Sequence, residues 1–407
     1  MPLEFNNKHK KYLPNLSEAW KRNLFFISLS QFITMIGMSS IVPFMPLYIL
    51  DLGIKDMESA KLWSGLVFAG PYFISIVAVP FWGYLGDKYG RKLMIIRAVF
   101  GLTIAVFLMG FAQNVYQFFA LRVFQGAVSG VIAAALAFTA ANSPHERSGY
   151  SIGILQSSQS AGNIIGPLIG GLLSDFIGTR FTFIFVAVLI FISGLCVVFF
   201  VKENKNTLPN LKDITFTQNI RIAGHAKGIM YLLLLIVLSQ AGIQFTNPIF
   251  PYFISQLGAP REFLSTITGL LLGVVGLMSI FFAPMWGRRN DKKDYHKTLF
   301  ISTGIIGIAA LLHVVVPNYL YLFPLRIIIG IFFAAVIPTL YSALNKTSTN
   351  ENKGSIMGLA SSANLFGSLI AFLSCGVVSS AFGMDTSFVV AGLLLLAVAA
   401  LVKIRKH

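Results

Sequence analysis

The chain has 407 residues, 56% of them hydrophobic and only 11% charged, with 31 Lys and Arg against 15 Asp and Glu. A water-soluble domain of this length cannot cover its surface with so little charge, whereas a lipid-embedded one need not, so composition excludes an ordinary soluble protein. The net charge of +16 would suggest nucleic acid in a soluble chain, but topology accounts for it here and no nucleic-acid partner is expected.

In chain order, a polar tail (1–23) with five basic residues comes first, and no cleavable signal peptide is expected in it. Apolar segments follow at about 24–50, 62–85, 93–112, 115–140, 149–174 and 180–201. A polar linker (202–228) separates these from six more, at about 229–255, 263–287, 298–316, 319–343, 354–378 and 384–402, before a short tail at 403–407. About 20 apolar residues are needed to span a bilayer as a helix. A helix satisfies its own backbone hydrogen bonds in lipid, so each segment reads as a transmembrane helix. The expected fold is an all-α membrane protein of twelve spans in two six-helix bundles, 24–201 and 229–402.

Of the 31 basic residues, 25 fall on the side that bears both termini, and Lys55, Lys61, Arg180 and Arg261 fall on the other. Arg122 and Arg326 lie within spans. The excess of positive charge predicts cytoplasmic termini in a cell (inner) membrane, and an even number of spans requires both on one side. Cys196 and Cys375 lie in apolar runs and read as buried small hydrophobes.

The halves repeat one another. Pro43, Pro46 and Ile49 match Pro248, Pro251 and Ile254 at an offset of 205, and Gly149 and Gly153 match Gly354 and Gly358 at the same offset. Pro80, Trp82, Gly83 and Asp87 match Pro284, Trp286, Gly287 and Asp291 at 204, as Leu121, Arg122 and Gly126 match Leu325, Arg326 and Gly330. A duplicated six-helix unit is the architecture of a rocking transporter, with its substrate site between the halves near mid-membrane.

Four local patterns carry chemistry. Gly83-Tyr84-Leu85-Gly86-Asp87-Lys88-Tyr89-Gly90-Arg91-Lys92 joins spans 2 and 3, with glycines for a tight turn and a carboxylate placed to face a helix amino terminus or an Arg. Arg122-Val123-Phe124-Gln125-Gly126 puts a cation about two turns into span 4, where it either faces protein or snorkels to the interface. Span 5 carries Gly162, Gly166, Pro167, Gly170 and Gly171, a close-packing face. Span 1 carries Gly37-x5-Pro43-Phe44-Met45-Pro46.

Together these resemble the major facilitator superfamily over essentially the whole chain, and within it the 12-span drug:proton antiporter branch. The resemblance implies a gating lock at Gly83, Asp87, Gly90 and Arg91, with Asp291 as the weaker second-half counterpart, where the second Gly-Arg is missing. It implies proton coupling at Arg122 and Gln125, and antiport from the span-5 pattern. It implies a cavity lined by spans 1, 4, 7 and 10, to which Gln31, Thr34 and Met38 in span 1 and Gln240, Gln244 and Asn247 in span 7 are candidate contributors, joined by Gln156, Gln159 and Asn163 of span 5. The same amides can instead bond helix to helix.

None of the 15 acidic residues falls at mid-membrane. Coupling then rests on Asp51 or Asp175 or on Asp87, with Arg122 responding, or else the substrate is neutral or anionic and matched to Arg122 or Arg326. His313 is placed near the end of span 9, as a histidine facing its helix neighbours or as a titrating group. The leading expectation is proton-driven export of small amphipathic compounds by a monomer, with no cofactor and no metal. A transporter of one metabolite (a siderophore, sugar or lysolipid) and a receptor or scaffold without flux are the alternatives. The chain has no GxxxxGK[ST] loop and no HExxH pair, so an enzyme is not expected.

Overall fold

A computed structural model describes residues 16–203, 227–292, 295–347 and 353–404. Twelve helices among them are long and apolar enough to cross a membrane. Nine are continuous: span 2 (Met57–Tyr89), span 3 (Arg91–Met109), span 5 (Ser148–Ile177), span 6 (Thr179–Phe200), span 8 (Leu264–Lys292), span 9 (Tyr295–Leu312), span 10 (Leu322–Thr347), span 11 (Lys353–Phe382) and span 12 (Met384–Ile404). Large apolar side chains such as Val77, Phe176, Phe199 and Phe382 stand exposed on the outer helix faces, where hydrocarbon rather than water is their solvent.

Span 1 differs from the single 24–50 helix expected. It begins at Leu16, runs to Ser40, breaks, and resumes as Met45–Asp51. Span 7 breaks at the equivalent place, between Lys227–Gln244 and Phe250–Gln256. The cause is the repeated proline pair, Pro43/Pro46 and Pro248/Pro251, which lack the N–H that would continue the ladder. Tyr48, fully buried beyond the first break, anchors the displaced segment by donating its hydroxyl hydrogen to Met109 O at 2.8 Å. At the start of span 2, outside the membrane, Asp56 accepts from Ser59 N at 2.8 Å, and that backbone hydrogen bond holds its carboxyl below the usual carboxylate range.

Span 4 is also broken, into Val115–Ala127 and Val131–Asn142, with Gly130 at φ +109° in the gap. Its counterpart, span 10, is continuous, and Ala334 stands where the first half has Gly130. An L-residue with a side chain rarely adopts that φ, so the break belongs to the first half.

The two halves meet at the membrane face opposite the termini. Span 5 crosses span 8 where a side chain on Gly171 would strike the Ser265 backbone and one on Gly269 the Pro167 backbone. Span 2 crosses span 11 where Gly65 and Gly376 lie against each other. Small residues at these crossings let backbones approach within van der Waals range. On the terminal side the repeated glycines Gly83, Gly149, Gly153, Gly287 and Gly358 meet nothing. The molecule is closed at one face and open at the other.

Gly269→Val is expected to hold the closed face apart, because overpacking a tight contact costs about 1–3 kcal/mol. Gly153→Val should shift stability by under about 0.5 kcal/mol, as its side chain enters open space. Thermal unfolding of the two variants in nanodiscs compares them directly.

Candidate functional site: the gates and the polar wall

The turn between spans 2 and 3 is built around two carboxylates. Asp87 accepts from Arg91 at 3.0 Å (Nη2) and 3.3 Å (Nε), and Arg91 Nη1 continues to Ala137 O of span 4 at 3.0 Å. Of the two partners open to Asp87 in the sequence, the structure gives it the Arg. The helix amino terminus goes instead to Glu203, a residue that no motif in the sequence marks. Its oxygens accept from Arg91 N at 2.8 Å and Lys92 N at 3.1 Å, satisfying the orphan donors at the start of span 3. Gly90, at φ +111°, is buried beneath that carboxylate. Gly83 faces open space, and the side chain of Asp291 lies outside the described residues.

Behind this turn, spans 2 and 3 supply donors to the carbonyls freed by the break in span 4. Trp82 Nε1 donates to Ala127 O at 2.7 Å, and Arg97 donates to Val128 O and Ser129 O, both at 3.0 Å. The Arg97 guanidinium stacks 3.7 Å above the Trp82 ring. The tryptophan bond recurs in the second half as Trp286 to Ile331 O at 2.8 Å, but Ile301 replaces the arginine where span 10 is unbroken.

Arg122 does not snorkel. It is 8% exposed, donates Nε to Val67 O of span 2 at 3.1 Å, and donates Nη1 to Gln125 Oε1. This places the two coupling candidates of span 4 in one buried unit.

At the closed face, Asp175 of span 5 accepts from Ser265 N at 3.2 Å and Thr266 N at 2.7 Å, the first turn of span 8. A carboxylate of one half thus caps a helix of the other. Tyr252 adds a second link, donating its hydroxyl hydrogen to Pro46 O and lying 3.1 Å from the Ser64 hydroxyl. Asp51 is exposed and accepts from Thr179 at 3.0 Å, away from this seam.

The polar wall lies along span 5. Gln156 and Asn163 are exposed in its terminal-side half, while Pro167, Gly171 and Ser174, farther along the same face, are buried in the closed seam. Across the opening, half-buried Gln244 accepts from Asn247 Nδ2 at 2.7 Å, and Gln240 Nε2 donates to Ser368 at 3.1 Å. Met38 is half-buried against the first-half core. Two expected contributors turn elsewhere. Thr34 is fully buried 2.9 Å from Ser193 of span 6, and Gln31 is fully buried accepting from Gln159 Nε2 at 3.0 Å. They share a helix face as their spacing predicts, but that face packs within the first bundle. Gly162, Gly166 and Gly170 are occupied in the same way, carrying span 5 against the span-1 backbone, and Pro167 lies against Gly269.

The profile of the Major Facilitator Superfamily matches residues 27–227 and 232–406. The chain belongs to that superfamily. It is a multi-pass membrane transporter and not an enzyme. Over 372 residues it is 32% identical to the multidrug resistance protein MdtG of Proteus mirabilis, covering 91% of this chain and 92% of that one. It is likewise 32% identical over 380 residues to MdtG of Yersinia enterocolitica, covering 93% and 92%. Its fold is that of the nucleoside transporter NupG (TM-score 0.80, 14% identity, 94% and 99% coverage). It also matches a bacterial homologue of the human lysosomal transporter Spinster in an inward-facing, occupied conformation (TM-score 0.75, 16% identity, 94% and 96% coverage).

Two substitutions separate scaffold from gate. Arg97→Met should destabilise the protein by roughly 1–3 kcal/mol, by stranding two span-4 carbonyls, as read from the thermal midpoint. Asp87→Asn removes a half-exposed ion pair worth under about 1 kcal/mol, so its midpoint should barely move while transport falls steeply.

Proposed function

We propose that this chain is a secondary-active exporter of small amphipathic compounds, driven by proton antiport through alternating access, with both termini cytoplasmic. The arrangement that carries the reading is the pair of unlike gates. Asp175 and the glycine crossings seal one face, while the repeated glycines and the Asp87 turn stand apart at the other. Those free glycines recur in both halves at matching positions, as closing faces for the opposite state would.

The identity to MdtG proteins supports a multidrug substrate range. The wall residues refine it. Gln156, Asn163, Gln240, Gln244 and Asn247 offer donors and acceptors without fixed charge, flanked by apolar surface, which suits ligands of varied chemistry. With no carboxylate among them, neutral or anionic amphipaths are favoured over cations.

In the proposed cycle, the Asp175 bonds to the Ser265 and Thr266 amides break as the closed face parts, which frees the carboxylate to meet the proton that enters from that side. Arg122 and Gln125 sit in the adjoining first-half core.

The decisive measurement is accumulation of a fluorescent lipophilic panel in inside-out vesicles, with and without an imposed proton gradient. Gradient-driven accumulation is expected, lost in Asp87→Asn and uncoupled from pH in Asp175→Asn. Intact pH-dependent transport in Asp51→Asn, Asp87→Asn and Asp175→Asn alike would remove carboxylate coupling. No accumulation of any compound by folded protein would replace the multidrug reading with a transporter of one metabolite.

A further inference from the structure

Inside the second half, three polar side chains converge on a void, and two of their nitrogens, Arg326 Nε and His313 Nε2, are buried without a hydrogen-bond partner among the described residues. Spans 7, 9, 10 and 12 border a pocket of ≈ 40 Å³, lined by Thr246, His313 and Arg326 among apolar neighbours. Arg326 is 7% exposed, and its Nε is sealed from solvent with no hydrogen-bond partner among the described residues. Its contact is the Phe250 ring, 3.8 Å beneath Cζ. Thr246, 8% exposed, brings a hydroxyl-bearing side chain to the same lining. His313 is 1% exposed and stacked on Phe388; its Nδ1 lies 2.7 Å from Ala309 O, and its Nε2 is buried and unpartnered.

The internal repeat provides the control. Arg122 occupies the matching place in the first half, and there the protein itself supplies acceptors in Val67 O and Gln125. The second half has Ile329 in place of Gln125, so that acceptor is withdrawn. Where the first half has Ile41, the second has Thr246, and where it has Leu108 or Met109, the second has His313. Polar groups have been gathered around the one arginine whose protein acceptor was removed.

A guanidinium buried without an acceptor is costly, and no acidic side chain lines the void to offset it. Water would hydrogen-bond to the N–H groups but leave the charge unneutralised. We propose that the void binds one chloride ion, held by the Arg326 guanidinium and the Thr246 O–H. One water shares the space and donates to His313 Nε2. The volume holds about three waters, which admits a monatomic halide with a water and excludes the head of a drug-sized substrate. The bound ion serves as the fixed counter-charge of Arg326, apart from the substrate path along span 5.

The test is the thermal unfolding midpoint of full-length protein in nanodiscs, measured in sodium chloride, bromide and gluconate at equal ionic strength. Chloride and bromide should raise the midpoint saturably and gluconate should not. Thr246→Val should raise the half-saturating chloride concentration at least about tenfold, the change expected when a buried hydrogen bond of about 1.4 kcal/mol is lost. Arg326→Gln should abolish the response. Thr246→Val places a β-branched apolar residue where the first half already carries Ile41, so it decides the matter if Arg326→Gln does not fold. Equal midpoints in all three salts, or a chloride response unchanged by Thr246→Val, would overturn the proposal and leave the void to water.

Discussion

Asp175 sits across the seam between two six-helix bundles, its carboxylate on the first amides of span 8. Those amides have no partner within their own helix, so the bond satisfies the second half with a group from the first. Such a contact requires the backbones of spans 5 and 8 to approach closely. Gly171 and Gly269 permit it by having no side chain at the crossing. Steric fit and electrostatics therefore act at the same few residues, and opening the seam breaks both together. The terminal-side opening is the geometric result, because halves held at one face splay at the other.

A second constraint runs through the interior: every carbonyl released from a helix in lipid needs a donor. The breaks in spans 1 and 7 are shared by both halves and come from shared prolines. The break in span 4 is private to the first half, and it is supported by a private donor, Arg97, stacked on a shared tryptophan. The same divergence affects the paired intramembrane arginines, one answered by a glutamine and the other facing a void. Duplication set the frame, and the chemistry of each half then moved apart.

Spans, their number and the repeat are legible in the sequence because lipid burial and duplication leave signals in residues close together or at constant offset. The Gly83 to Lys92 turn and the buried place of Arg122 can be anticipated from motif and cost. Glu203 cannot, since it caps a helix that starts 112 residues earlier, and no local pattern marks such a pairing. Thr34 and Gln31 show the limit of periodicity. Spacing tells which residues share a helix face but not whether that face meets a cavity or a neighbouring helix. His313 stands at the helix end where its sequence position puts it, yet its complete burial depends on span 12, beyond reach of any window on span 9.

The end of span 6 is tied back to the start of span 1 by a reciprocal pair. Asn23 Nδ2 donates to Lys202 O at 2.7 Å, and Lys202 N donates to Asn23 Oδ1 at 3.0 Å. One residue later Glu203 closes span 3. Residues 16–203 thus carry their own seals at entry, at exit and at the principal turn, and borrow none of them from the second bundle. A chain segment so finished has the makings of a foldable unit. The first half can complete its structure on emerging into the membrane, before the second is synthesised, and then offer span 5 as a preformed surface on which span 8 docks.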